Sequence, residues 1–135
     1  MPDRRSLIAL VEDDSSVRKA LTRLFRAAGF EVHSFGSAEE FLRRTETDCF
    51  VCLVLDVKLP GMSGFDLYCS GVHVPTIFIT ADERNWERAE ALNISREMFL
   101  FKPFPDSVLL GAVKAALSRA SGASNCGEAA GNTST

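Results

Sequence analysis

The 135-residue chain has no apolar run approaching the length of a bilayer span, and its opening Met-Pro-Asp-Arg-Arg is not followed by an apolar core of signal-peptide length. A cytoplasmic location with no membrane association is the expectation. Positive charge is not in excess: 15 Lys and Arg against 18 Asp and Glu leave a formal charge of −3. This segment therefore has no electrostatic reason to bind nucleic acid. No internal repeat is present, and no glycine-rich phosphate loop follows the first strand-like run, which counts against a dinucleotide-binding domain. Histidine is scarce, and His33 and His73 read as solvated loop or strand-face residues. Cys49-Phe-Val-Cys52 has the CxxC spacing, but it leads into a buried strand rather than a helix N-terminus. No second pair or nearby histidine supports zinc, so these cysteines read as core or strand-edge residues.

What is present is an alternation. Leu7–Val11, Val51–Leu55 and Pro75–Thr80 are unbroken apolar runs of the kind buried on both faces of a parallel sheet. Glu31–Phe35 alternates like a strand at the sheet edge, and Met98–Phe101 reads as a last short strand. Between them, Val17, Leu21, Leu24 and Phe25 recur at helical spacing, as do Leu109, Ala112, Val113 and Ala116. Asp14 or Ser15 can cap the first helix, and Ser37 with Glu40 has the spacing of a capping box. Shorter helices are expected over Phe65–Ser70 and Arg84–Leu92. Strand and helix alternate five times, which predicts an α/β domain with a doubly wound parallel sheet. From Ser121 onward the composition is Gly, Ser, Ala, Asn and Thr, which predicts a linker or tail.

In such a sheet, ligands bind outside the carboxyl ends of the strands. The residues that directly follow the apolar runs are Glu12 and Asp13, Asp56, Thr80 and Lys102. Three acids brought together repel one another, and a hard divalent cation with oxygen ligands relieves that repulsion. A hydroxyl and an ammonium beside them supply what a phosphoryl group wants. Asp14 opens the following helix and reads as its cap.

The pattern Val11-Glu-Asp-Asp14, Leu55-Asp-Val-Lys-Leu-Pro-Gly-Met-Ser-Gly64, Ile79-Thr-Ala81 and Phe101-Lys-Pro-Phe104 resembles the receiver domain of bacterial two-component response regulators. Within that family it is most similar to the FixJ-like regulators, which join a receiver to a LuxR-type helix-turn-helix. The resemblance implies the flavodoxin-like, CheY-like (βα)5 fold with strand order 2-1-3-4-5. It implies that Asp56 accepts a phosphoryl group from a sensor histidine kinase. Asp13, Asp56 and the main-chain carbonyl of Lys58 match the Mg²⁺ ligands, and Glu12 matches a second acidic position at the metal. Thr80 and Lys102 match the residues that bind the phosphoryl oxygens. Thr80 and Phe99 match the switch pair, Phe99 having a plain core role as its other reading. Lys102-Pro103 matches a peptide bond that is usually cis.

Three departures stand out. The chain between Asp56 and Thr80 is about one helical turn short for the family, which puts the third helix and its cover of the sheet in doubt. Ser95 stands where a glycine commonly ends the fourth helix, leaving Asn93 to take the left-handed turn. Phe101 occupies a position that is usually polar. A rival reading is a Mg²⁺-dependent phosphohydrolase of the haloacid dehalogenase type, but such enzymes carry a second acid just after the nucleophile, where this chain has Val57 and Lys58. The sequence thus predicts a receiver over residues 5–119 and a tail or linker over 120–135. The resemblance implies a phosphoacceptor rather than an enzyme, acting either through an attached DNA-binding domain absent from this chain or as a stand-alone receiver through protein contact. Trp86, Phe99 and Phe101 are expected to form an apolar patch on the output face of the fourth helix, fifth strand and last helix, through which phosphorylated copies pair as a homodimer; the other reading is that Trp86 and Phe101 cover the gap left by the short third helix.

Overall fold

The computed structural model describes residues 7–43 and 50–127, residues 120–127 by backbone alone. Cys49 of the CxxC pair, the side chain of Cys126, residues 5 and 6 and the end of the tail at 128–135 lie outside the described residues. Five parallel strands, β1 (Leu7–Val11), β2 (Glu31–Phe35), β3 (Cys52–Asp56), β4 (Thr76–Thr80) and β5 (Phe99–Phe101), form one sheet in the order β2-β1-β3-β4-β5. The helices are α1 (Ser15–Ala27), α2 (Ala38–Leu42), α3 (Gly64–Cys69), α4 (Asn85–Ala91) and α5 (Asp106–Gly127), with a 3₁₀ turn at Arg96–Met98. The strand order and the edge position of β2 agree with the sequence expectation.

The three strands read as unbroken apolar runs are those flanked by a neighbour on each side, and side chains alternating along them feed two cores. One face carries Ile8, Leu10, Val54, Ile77 and Ile79, packed against Leu21 and Phe25 of α1 and Leu109, Val113 and Ala116 of α5. The other carries Ala9, Val11, Leu53, Leu55, Phe78 and Phe99, packed against Phe41, Phe65, Leu67 and Ala89 of the remaining helices.

The short third helix does cover the sheet. Phe65 and Leu67 are fully buried, and Phe65 lies 5.6 Å from the Phe78 ring and stacks parallel to Phe99 at 6.3 Å. Tyr68 meets Phe78 edge-on at 5.1 Å. Aromatic bulk replaces the missing turn, since a buried ring removes far more surface from water than an aliphatic side chain. A capping box between Ser63 and Asp66 satisfies the first amides of this helix. The box expected at Ser37 is incomplete: Ser37 accepts from Glu40 N, but the Glu40 carboxylate takes Gly36 N rather than the cap's own amide. Asp14, not Ser15, caps α1, accepting from Ser16 N at 2.9 Å and Val17 N at 3.3 Å. Asn93 takes the left-handed turn after α4 with φ 62°.

Helix α5 runs to Gly127, so the stretch after residue 120 that composition predicts to be a linker or tail begins as a continuation of the helix backbone. One expectation needs correcting. Phe99 is buried rather than part of an exposed patch, and Trp86 and Phe101 are half-buried beneath the Arg96 guanidinium, 4.7 Å and 5.5 Å from their ring centroids. Large aromatic rings on a short edge strand gain more by packing on one another than by facing water.

The loop after β3 is tied at two points. Gly61 has φ +75°, and the neighbouring Met62 amide donates to Glu39 Oε2 of α2 at 2.8 Å; that bond holds the exposed Glu39 carboxyl below its ordinary pKa. Gly64 passes directly over the end of β3, where a Cβ would overlap the carbonyl oxygen of Asp56 and lie 2.9 Å from Val57 Cα. Those neighbours are backbone and cannot swing aside. Gly64→Ala is expected to destabilise the fold by about 1–3 kcal/mol, the usual range for overpacking, read as a lower urea midpoint. An unchanged midpoint would show that the loop has slack at this crossing.

Candidate functional site

The expected residues converge at the carboxyl rim. The strands β1, β3, β4 and β5 end side by side, and their last residues or the next ones line one open cleft of about 1020 Å³ with Glu12, Asp13, Asp56, Lys58, Thr80 and Lys102 in its wall. Asp56, as the final residue of β3, is 5 % exposed, and Glu12 and Thr80 are each 1 % exposed. Asp13, by contrast, faces solvent.

Lys102 closes the arrangement. Its Nζ lies 3.0 Å from Glu12 Oε1 and 3.3 Å from Asp56 Oδ2, so one ammonium serves carboxylates from two different strands. The Lys102–Pro103 peptide is cis. The other Asp56 oxygen, Oδ1, accepts from the Lys58 amide at 3.1 Å. Glu12 Oε2 accepts from Asp14 N at 3.2 Å, and Arg18 Nη1 donates to the Glu12 carbonyl at 2.7 Å. Arg18 was not singled out in the sequence, because a basic residue on the polar face of a helix reads as solvated.

Three carboxylates against one ammonium leave surplus negative charge in a partly desolvated place. Burial pushes Glu12 up to about 7, overcoming the pull of Lys102 in the other direction, and the nearby Asp56 adds to the rise. Burial lowers the Lys102 ammonium, but its bonds and attraction to Glu12 and Asp56 outweigh that, so its pKa lies above the ordinary lysine value. Carboxylate oxygens of Glu12, Asp13 and Asp56 lie within 4.8 Å of one another. Oxygen ligands held about 2.1 Å from a Mg²⁺ in octahedral geometry would be about 3–4 Å apart, so a small inward adjustment brings this all-oxygen set onto such an ion.

Thr80 is held by the turn that follows β4. Its Oγ1 accepts from Asp82 N at 3.1 Å and from the Asn85 side-chain amide at 2.9 Å. Asn85 is a second residue that the sequence did not reveal, since an asparagine at a helix start reads as a cap; here Arg84 holds the cap position without a side-chain bond. Asp82 is itself pinned by Arg84, which donates to it from its backbone and its guanidinium, and these bonds pull the Asp82 carboxyl down to about 2. Phe99 lies behind this turn, with its ring 5.4 Å from Trp86 and 5.3 Å from Phe101.

Cys52 is fully buried in β3, and burial pushes its thiol up to about 12, so it packs and does not react. His33 sits edge-on to Phe50 at 5.9 Å on the edge strand β2. No helix among the described residues is long and apolar enough to cross a membrane.

Comparison with known proteins agrees with this geometry. Residues 8–114 match the response regulator receiver domain family model. The chain is 45% identical over 119 residues to nodulation protein W of Bradyrhizobium diazoefficiens, covering 85% of this chain and 52% of that protein. It is 33% identical over 116 residues to the transcriptional regulatory protein FixJ of Azorhizobium caulinodans, covering 83% and 55%. The solved structure of the response regulator StyR superposes with a TM-score of 0.80 at 36% identity, covering 90% of this chain and 64% of that one. The chain spans about half the length of the curated relatives it matches. A five-stranded sheet in receiver order, an acidic rim closed by a lysine and this match to the family model lead to one conclusion: the chain belongs to the response regulator receiver domain family, whose members are phosphoacceptors rather than enzymes in the ordinary sense.

Proposed function

We propose that Asp56 takes a phosphoryl group from the phosphohistidine of a sensor histidine kinase, and that Glu12, Asp13, Asp56 and the Lys58 carbonyl hold the Mg²⁺ this requires. The observation that carries the reading is the shared ammonium of Lys102, which touches the Asp56 carboxylate and the acidic cluster at once. In the transfer, one Asp56 oxygen attacks phosphorus in line, the P–N bond to the kinase histidine breaks, and its electron pair stays with the imidazole. Phosphoryl transfer asks for positioning and charge neutralisation. The Lys58 amide orients the Asp56 carboxylate. Lys102 moves its donors from carboxylate to phosphoryl oxygens, and the Thr80 hydroxyl supplies a neutral donor beside it. When bound, Mg²⁺ offsets the charge on the same oxygens.

The product adds roughly −1.5 to −2 of charge at the rim. Thr80 moves toward it, and Phe99 with its neighbours Trp86 and Phe101 repacks, so a local charge is read out by an aromatic wall. The output we infer is control of transcription through a DNA-binding domain outside this chain, with residues 5–119 as the receiver, 120–135 as linker, and phosphorylation-dependent pairing of two copies through the α4-β5-α5 face. The lengths and names of the regulators it resembles support this. A cytoplasmic location follows from the same reading.

Two outcomes test the site. Incubation with a small phosphodonor and Mg²⁺ is expected to add one phosphoryl group by mass spectrometry, and none in Asp56→Asn; label retained in that variant would move the acceptor elsewhere. Mg²⁺ affinity is expected to rise with pH up to about 7 and then level off, because below that pH the ion must displace the proton that burial holds on Glu12. The sign for folding is opposite: with no ion bound, the folded state keeps a proton that the unfolded chain releases above 4.5, so Glu12's contribution to stability falls as pH rises from 4.5 to about 7. Titration calorimetry showing an affinity that is flat between pH 5 and 7 would remove Glu12 from the ion's surroundings.

A further inference from the structure

We propose that Asn85 is a latch on Thr80: its side-chain amide holds the hydroxyl in the unphosphorylated arrangement and sets how much binding energy the switch needs. The inference rests on the phosphoacceptor reading above and adds to it a positioning residue outside the acidic site. Thr80 is buried, and a hydroxyl has two acceptor sites and one proton. Both acceptor sites are filled, by Asp82 N at 3.1 Å and Asn85 Nδ2 at 2.9 Å.

The two bonds differ in kind. Asp82 N belongs to the backbone turn next to Thr80, so that bond can follow a small shift of the chain. The turn is also stiff: Asp82 Oδ1 takes Arg84 N and Nε at 3.0 Å each, and Asp82 O takes Asn85 N at 3.1 Å. The Asn85 amide instead reaches back from the first turn of α4. A phosphoryl group on Asp56 draws the Thr80 proton, and any translation of the hydroxyl toward it stretches the bond to Asn85 first. Asn85 is only half-buried, so its freed amide is taken up by water and leaves no unsatisfied group. The bond therefore stabilises one state and not the other.

The latch also connects to the aromatic wall. Trp86 follows Asn85 directly and packs on Phe99 at 5.4 Å, so releasing α4 at Asn85 frees the residue that covers the switch aromatic. Trp86 is the one tryptophan of the chain, and its fluorescence reports that step without a label.

The experiment titrates beryllofluoride, a tetrahedral phosphoryl mimic, into the protein with saturating Mg²⁺. Trp86 emission reads the switch, and fluorine NMR of the bound mimic reads occupancy independently. Loss of one neutral hydrogen bond from the resting state alone is expected to tighten apparent binding about fivefold in Asn85→Ala. Asn85→Ser, too short to reach Thr80, is expected to do the same, and serves if the alanine variant folds poorly. In a Thr80→Val background, which lacks the acceptor, Asn85→Ala is expected to change nothing. General destabilisation would weaken binding, so the direction separates a latch from a structural role. Equal or weaker binding in Asn85→Ala, or an undiminished effect in the Thr80→Val background, overturns the latch. No bound fluorine signal in the wild-type protein overturns the phosphoacceptor reading beneath it, and the latch with it.

Discussion

One ammonium shared between two buried carboxylates is the constraint on which this domain depends. Glu12 and Asp56 end neighbouring strands, and a sheet gives them no means of separating. Lys102 at 3.0 Å and 3.3 Å makes their proximity tolerable. Removing one member of such a group leaves uncompensated buried charge, which is far more costly than the pair is stabilising. Burial, with the charge of Asp56 beside it, pushes the Glu12 carboxyl up to about 7, and Asp13 brings a third carboxylate to the same cluster. A rim in this state is poised for a cation and for a ligand that gives Lys102 something new to hold.

The rest of the fold holds that strained rim rigid. Gly64 crosses over the end of β3 so closely that only hydrogen fits, which fixes the chain following Asp56. The tie from Glu39 to Met62 anchors the far side of the same loop. On the opposite flank, Thr80, Asn85, Trp86 and Phe99 form a continuous line from the cleft to the aromatic cover of the sheet. Charge chemistry and aromatic packing thus meet at a single turn between β4 and α4.

Much of this was legible in the sequence. The five-fold alternation of apolar runs and helical periods predicts the sheet and its two cores, and acids directly after apolar runs land at the rim by topology alone. Lys102 was legible for the same reason. Other features were not. No periodicity marks Asn85 as a partner for Thr80, because the bond depends on how the turn curls rather than on spacing. The cover supplied by α3 was obscured because a missing turn is visible in a sequence, whereas compensation by Phe65 and Tyr68 is a matter of packing. The choice between a core and an exposed Phe99 was open for a related reason: alternation places Phe99 and Phe101 on one side of β5, but Arg96 and Trp86, which cover that side, come from outside the strand.

The central claim is that the rim carries surplus negative charge whose relief by a divalent cation stabilises the domain. Urea unfolding at neutral pH, with and without Mg²⁺, tests it in the wild-type protein and in Asp13→Asn. Asp13 is solvent-exposed, so its neutral variant removes repulsion without opening a cavity. The account predicts that without the ion Asp13→Asn is at least as stable as the wild type, and that Mg²⁺ raises the wild-type midpoint while leaving the variant's nearly unmoved. Equal Mg²⁺-dependent shifts in both proteins would contradict it.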